Sequence, residues 1–359
     1  MSKKILYIVP HRLNRSPGQR FRCEHFIPIL TENGYSVTYS NLLTAWDDAY
    51  FYKKGAYFFK LFIVVKTFLK RLKDVCRAKN YDIVFVYREA FMLGTTMFER
   101  ALKKRGAKLI YDFDDSIWLN DTSEGNQNLA WLKRTSKTND IVALADLTIV
   151  GNEYLANHAK QFSKNVAIIP TTINTDYHKP QKANQTKNIC IGWTGTETTE
   201  KHFRILEPVL LQLKEKYPQL VFRFISNKPY SGNLLVESVK WNATEEIEQL
   251  QKIDIGIMPL PNDDWSRGKC GFKGLQYMSL EIPTVMSPVG VNNEIIANGE
   301  NGYLAETNDE WISILSELIE NAELRKSIGK KGRQTIIENY SIESQKEKYV
   351  KLLYTLLYN

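Results

Sequence analysis

Cysteine is scarce in this sequence: there are four, Cys23, Cys76, Cys190 and Cys270, and none stands in a Cys-x-x-Cys or Cys/His ligand spacing. That usage excludes a disulfide scaffold and a structural zinc site, and it fits a reducing compartment. Long apolar runs are missing as well. The opening "MSKKILYIVPHR" carries too short an apolar stretch for a signal peptide. In the most basic segment the longest uncharged run, Leu61 to Val65, is far below the roughly 18 residues of a membrane span. A cytoplasmic protein is expected.

Acidic residues fall short of basic ones, 40 against 48, for a formal charge of +8, and the excess is local. Between Lys53 and Lys79 stand nine Lys or Arg and the single Asp74. A basic face on every domain is therefore lacking, which argues against nucleic acid as a partner and for the attraction of one segment to an anionic surface. In "AYFFKLFIVVKTFLKRLKDVCRAK", Phe58, Leu61, Phe62, Val65, Phe68, Leu69, Leu72 and Val75 recur at intervals of three and four, while Lys66, Lys70, Lys73 and Arg77 fall on another stripe. The pattern predicts a helix whose apolar face covers a sheet and whose cationic face, through those four residues, is solvated or lies on an anionic membrane. Peripheral attachment to the inner face of a membrane is the corresponding expectation for location.

With 359 residues, 43% of them hydrophobic, the chain has the length of two domains. Short β-branched or apolar runs, "KILYIVP", "YSVTYSN", "DIVFVYR", "KLIYDFD", "DLTIVGN" and "VAIIPTT", alternate with helical patterns. After the polar stretch "HKPQKANQTKN" the alternation restarts with "ICIGWTG", "VFRFISN", "IDIGIMP", "IPTVMS" and "GYLAE". Two α/β halves with parallel sheets are predicted, joined near residue 180. Ligands in such sheets sit beyond the carboxyl ends of the strands, so the residues that follow each strand are the candidates for chemistry. One of these strands runs into Thr194, Gly195 and Thr196 at the start of a helical segment. Amides and hydroxyls there suit an anion, and Lys201 adds a charge, although the same residues would serve an unliganded helix cap.

In "GKCGFKGLQYMSLEIPTVMSPVGVNNEIIANGENGYLAE", Phe272, Leu275 and Met278 share a core spacing that leaves Lys273, Gln276 and Tyr277 on an adjacent face. A proline-led strand from Ile282 and a turn ending at Gly290 follow. This frame resembles the donor-binding signature of family-four glycosyltransferases, retaining enzymes of the GT-B fold. Pro283 and Asn301-Gly302 match it; the second family glutamate falls on Gln276, the first on Gly268, and the glycine before the proline on Glu281. Lys201 matches the family lysine against the donor diphosphate, and Thr196 stands where an arginine is often seen.

The resemblance implies two Rossmann-like domains with parallel sheets facing across a cleft. Residues 1–175 would hold the acceptor, with 341–359 returning to pack on them, and 176–340 would hold the donor. It implies a sugar transfer with retention, from a nucleotide-diphosphate sugar to a glycan, lipid-linked or other hydroxyl acceptor, with no metal and no cofactor. Lys201 and Lys273 would stabilise the leaving diphosphate. Gly18, Gln19, Thr194, Gly195, Thr196, Gln276 and Gly290 would line the donor, with Arg20 or Arg22 close to Gly18. Lys269 or Asp264 could stand in for the missing first glutamate. Asp112, Asp114 and Arg22 would face the acceptor, with Asp114 or Asp115 orienting it or accepting its proton.

Two other readings stay open. "DFDDS", with Asp112, Asp114, Asp115 and Ser116, fits the nucleophile motif of haloacid-dehalogenase-like phosphatases. The lost carboxylates at Gly268 and Gln276 fit a nucleotide-sugar-binding protein without catalysis.

Overall fold

The computed structural model describes residues 2–119, 132, 134–180 and 188–358; of the polar joint predicted near residue 180, positions 181–187 lie outside the described residues. The chain divides into two compact units, Met1–Pro170 with Gln345–Asn359, and Thr171–Ser344.

The first unit is built on a six-stranded sheet of β1 (Lys3–Val9), β2 (Tyr35–Asn41), β3 (Ile83–Tyr87), β4 (Lys108–Phe113), β5 (Leu147–Val150) and β6 (Val166–Ile168), in the order β2-β1-β3-β4-β5-β6. Every pairing is parallel. Ile5 to Val9 and Ile83 to Tyr87 are buried throughout, as strands covered on both faces must be. The chain leaves β1 for β2 on one side and then crosses to β3 on the other. The topological switch point therefore lies between β1 and β3, where such sheets bind ligands. The C-terminal helix Ile342–Tyr358 contributes Tyr349, buried, stacked on Phe26 with centroids 4.0 Å apart and 3.2 Å from Tyr7 hydroxyl to hydroxyl.

The second unit carries β7 (Cys190–Thr194), β8 (Val221–Ser226), β9 (Glu237–Lys240), β10 (Ile255–Met258), β11 (Thr284–Met286) and β12 (Tyr303–Leu304), ordered β12-β11-β10-β7-β8-β9. Its pairings are parallel too, and its switch point lies between β7 and β10. Trp193 on β7 stacks on Phe224 of β8 at 4.9 Å inside the core. The edge strand β9 had no expectation in the sequence.

Two expectations about helix faces are corrected. The segment Tyr57–Arg77 is one helix, but its packed side is Lys60, Ile63, Thr67, Arg71, Asp74 and Val75, while Phe58, Leu61, Phe62, Val65, Leu69 and Leu72 face outward. The cause is Arg71. Its buried guanidinium donates to the carbonyls of Val9, Ser40 and Ala90 and to Asp74, and a buried charge so satisfied fixes the rotation of the helix. In the helix Phe272–Ser279, Tyr277 is core: its ring occupies the space where a side chain at Gly256 would stand, and its hydroxyl accepts from the amide of Thr194 at 2.8 Å.

Candidate active site

At the switch point of the second unit, β7 ends at Thr194 and leads through Gly195 into a turn capped by Thr196, followed by the short helix Glu200–Arg204. The amide cradle expected there for phosphate is taken up by the protein. The N–H groups of Thr194, Gly195, Thr196, Glu197 and Thr199 donate to Tyr277 Oη, Ile225 O, Thr199 Oγ1, Asn227 Oδ1 and Thr196 O. A side chain at Gly195 would collide with the Trp193 ring at 2.2 Å and Thr199 Oγ1 at 2.7 Å, so that glycine answers to packing.

Cationic side chains gather at this place instead. His202, 3% exposed, has its pKa pushed down to about 3 by burial and then by Lys269, Lys273 and Lys201, with Asp263 opposing. All three lysines act in the same direction, keeping the imidazole neutral. Its buried Nδ1 makes no hydrogen bond among the described residues. Lys273, in the first turn of the helix Phe272–Ser279, lies 5.6 Å over the Trp193 ring, and Lys269 lies 5.6 Å over that of Trp265. Such cation–π contacts fix long side chains that would otherwise be mobile. Asp263, in the loop that follows β10, caps the short helix Asp264–Arg267 by accepting from Ser266 N at 2.7 Å. Gly290 adopts φ +55°, and a side chain there would strike Arg267 O at 2.6 Å, so the turn it forms braces the backbone leading to Lys269.

Gln276 does not join the lysines. It is 1% exposed and donates to Glu246 Oε1 at 3.2 Å, an oxygen that also accepts from Trp241 Nε1 at 3.1 Å. Its amide serves the interior rather than an open donor site.

At the switch point of the first unit, Arg88 follows β3 with φ +59°, a left-handed conformation that a bulky side chain rarely adopts. It donates to Asp114 Oδ1 from Nε at 3.0 Å and from Nη2 at 2.7 Å, and to Asp115 Oδ2 at 2.7 Å. Tyr87 also donates to Asp114, at 2.8 Å. Burial would raise the Asp114 carboxyl, but Arg88 and then Arg22 outweigh it and hold the pKa below the usual value. A carboxylate so stabilised is a weak base, so Asp114 braces Arg88. Gly18 packs against the same group: a side chain there would meet Tyr87 Oη at 2.6 Å and Asp114 Oδ2 at 2.8 Å.

His11, which follows β1, is pushed down to about 4 by burial, with Asp48 opposing and Arg15, Arg88 and Arg12 reinforcing. Arg15 Nε donates to Asp48 at 2.9 Å, and Arg12 is paired with the same carboxylate. His11, Arg12, Arg15, Arg88 and Asp115 are all part-exposed at this switch point.

Other expected contacts lie deeper. Gln19 is fully buried, donating to His11 O at 2.9 Å, Glu24 Oε1 at 2.8 Å and Tyr39 while accepting from His11 N at 3.0 Å, so its amide is spent on the loop after β1. Arg22 and Asp112 form a buried fork, 3.1 and 2.6 Å. Burial pushes Asp112 up to about 6 against the pull of Arg22. An aspartyl nucleophile must be reachable, and Asp112 is 0% exposed, which removes the basis of the phosphatase reading. Lys269, His202, Arg88 and His11 complete these clusters. Of them the sequence pointed only to Lys269; each follows or faces a strand end, the one signal that could have found the rest.

Residues 236–335 match the family model described as Glycosyl transferases group 1. Over nearly its whole length the chain is similar in fold to solved structures. One is a glycosyltransferase from Rickettsia africae (14% identity, 100% and 99% of the two chains covered, TM-score 0.69). Another is a sucrose-phosphate synthase from Thermosynechococcus elongatus (12%, 99% and 99%, 0.69), and a third is Anabaena HepE in complex with UDP and glucose (15%, 98% and 100%, 0.67). No curated protein matches the sequence. The two six-stranded parallel sheets are those of the GT-B fold, and the similarity to the group 1 glycosyl transferases extends over residues 236–335.

Proposed function

We propose that the protein transfers a sugar, with retention, from a nucleoside-diphosphate sugar to a hydroxyl of a glycan or lipid-linked acceptor. The observations that carry this reading are the match of residues 236–335 to the group 1 glycosyl transferases and the seating of Lys273 over the Trp193 ring, beside the end of β7 at the switch point of the second unit. The relative crystallised with UDP and glucose supports the choice of donor class.

As the bond between the anomeric carbon and the diphosphate breaks, negative charge accumulates on the departing phosphate oxygens. Fixed cations placed beforehand stabilise that charge more than they stabilise the intact donor. The three lysines supply this in place of a metal, and Lys273 is held for it by the Trp193 ring. The acceptor oxygen bonds to the anomeric carbon on the face the diphosphate leaves, and its proton passes to the departing phosphate. Asp114 and Asp115 do not take that proton, because both are committed to Arg88. Arg88, Asp115 and the neutral His11 orient the acceptor.

The test is release of nucleoside diphosphate from UDP- and GDP-sugars in the presence of a chelator. Alanine at Lys201, Lys269 or Lys273 should each lower turnover by about ten- to a thousandfold with the fold intact. Unchanged rates in all three would remove the cluster from the site.

A further inference from the structure

The Tyr57–Arg77 helix carries a second surface. Phe58, Leu61, Phe62, Val65, Leu69 and Leu72 are between 39% and 79% exposed, and at helical spacing they fall within about 100° of arc. The stripe widens at its N-terminal end. Tyr50 stacks on Phe59 at 4.5 Å, and Trp46, 44% exposed, lies 6.0 Å from Phe59 and 6.1 Å from Phe62. An apolar patch of this extent marks an interaction site in a water-soluble domain. It cannot turn inward, because the buried Arg71–Asp74 pair and the carbonyls of Val9, Ser40 and Ala90 fix the helix rotation.

The charges beside the stripe have one sign. Lys66, Lys70 and Lys73 follow one flank of the stripe, while the helix's single acidic residue, Asp74, is buried between Arg71 and Arg77. Lys66 reaches back over the Trp46 ring at 5.7 Å and pairs with Asp47, the arrangement of an amphipathic residue at a water boundary. Two copies of this face pressed together would oppose like charges. A surface of anionic headgroups would meet the lysines while its acyl region takes the Phe and Leu side chains. No described helix is long and apolar enough to cross a membrane.

We propose that this helix seats the protein on an anionic lipid bilayer. Phe58, Leu61, Phe62, Val65 and Leu69 enter the acyl boundary, and Lys70 and Lys73 meet the headgroups. The expectation that four cations carry the contact changes accordingly. Lys66 and Arg77 already have carboxylate partners, so apolar insertion supplies most of the affinity. The inference is independent of the donor reading, because it requires neither donor nor acceptor.

The test is co-sedimentation of the full chain with vesicles of equal parts phosphatidylcholine and phosphatidylglycerol, and of phosphatidylcholine alone. Cys76, the exposed one of the four cysteines, lies at the C-terminal end of the stripe and takes a polarity-sensitive fluorophore. Binding to the mixed vesicles with a blue shift of that probe is expected. Each of Leu61→Ser, Val65→Ser and Leu69→Ser should weaken binding by about tenfold. Their melting temperatures should not fall, because these side chains make few native contacts. The pair Lys70→Glu, Lys73→Glu should bind weakly and respond less to salt. Binding to neither vesicle, or equally to both, would overturn the proposal. So would a lipid-free dimer that Val65→Ser dissociates, since the face would then belong to a second copy.

Discussion

Gln276 donates to Glu246 across 3.2 Å inside the second unit, where the family frame has a glutamate facing a ligand. The amide is the only common side chain of that length that can donate to Glu246 there without adding charge. Gln276→Glu would place two buried carboxylates in contact, which raises the pKa of the pair. A loss of about 2–4 kcal/mol near neutral pH is expected. The deficit should shrink as pH falls towards 5, because a shared proton removes the repulsion. Denaturant titrations of both proteins across that range check it, and a pH-independent difference would contradict it.

Glu281 holds φ +60° two residues before Pro283. Left-handed backbone costs a non-glycine residue about 1–2 kcal/mol, and the greater chain entropy of glycine offsets only part of a replacement. Glu281→Gly should therefore stabilise the protein by about 0.5–1 kcal/mol. A rise in melting temperature is the readout.

Arg88 neutralises Asp114 and Asp115 and is the main reason the Asp114 carboxyl titrates low despite its burial. The stability this provides is present above the unfolded carboxyl pKa and disappears as pH falls through the lower folded value. Arg88→Ala should lose about 2–4 kcal/mol at pH 7 and progressively less in acid. Denaturant midpoints measured from pH 7 to pH 3 would show it.

His202 reports on the lysine cluster directly. Its folded pKa of about 3 lies below the unfolded value near 6.5, so its neutral form stabilises the fold above that value, and stability declines as pH falls from there towards 3. Ring resonances assigned by comparison with His202→Gln should show no protonation above about pH 5 in the unliganded protein. Nucleoside diphosphate should raise this pKa, because the anion offsets the three lysines.

The sheets were legible because parallel strands buried on both faces read as short apolar runs; "DIVFVY" and "ICIGWT" announce β3 and β7. Glu237–Lys240 is an exposed edge strand with no such run, and it went unread. The Tyr57–Arg77 helix was legible as a helix but not in its facing. Apolar periodicity assumes that grease goes inward, whereas one satisfied buried arginine decided otherwise. Lys201 and Lys273 could be found from strand ends and the family frame. The partners that close the amide cradle, Thr199 and Asn227, and the convergence of Lys269 on His202 depend on contacts between distant segments, which spacing does not encode.

The proposed diphosphate site is made of lysines rather than backbone amides or a metal. It is tested most directly by the melting temperature with UDP or GDP in the presence of a chelator, for the native protein and for the Lys201→Ala, Lys269→Ala, Lys273→Ala triple variant. Ligand at a hundred times its dissociation constant stabilises a folded protein by about 2.7 kcal/mol. The native protein should show a rise of that order with one of the nucleotides, and the triple variant should show none while melting cooperatively. Stabilisation that requires added magnesium, or that survives in the triple variant, would contradict the account.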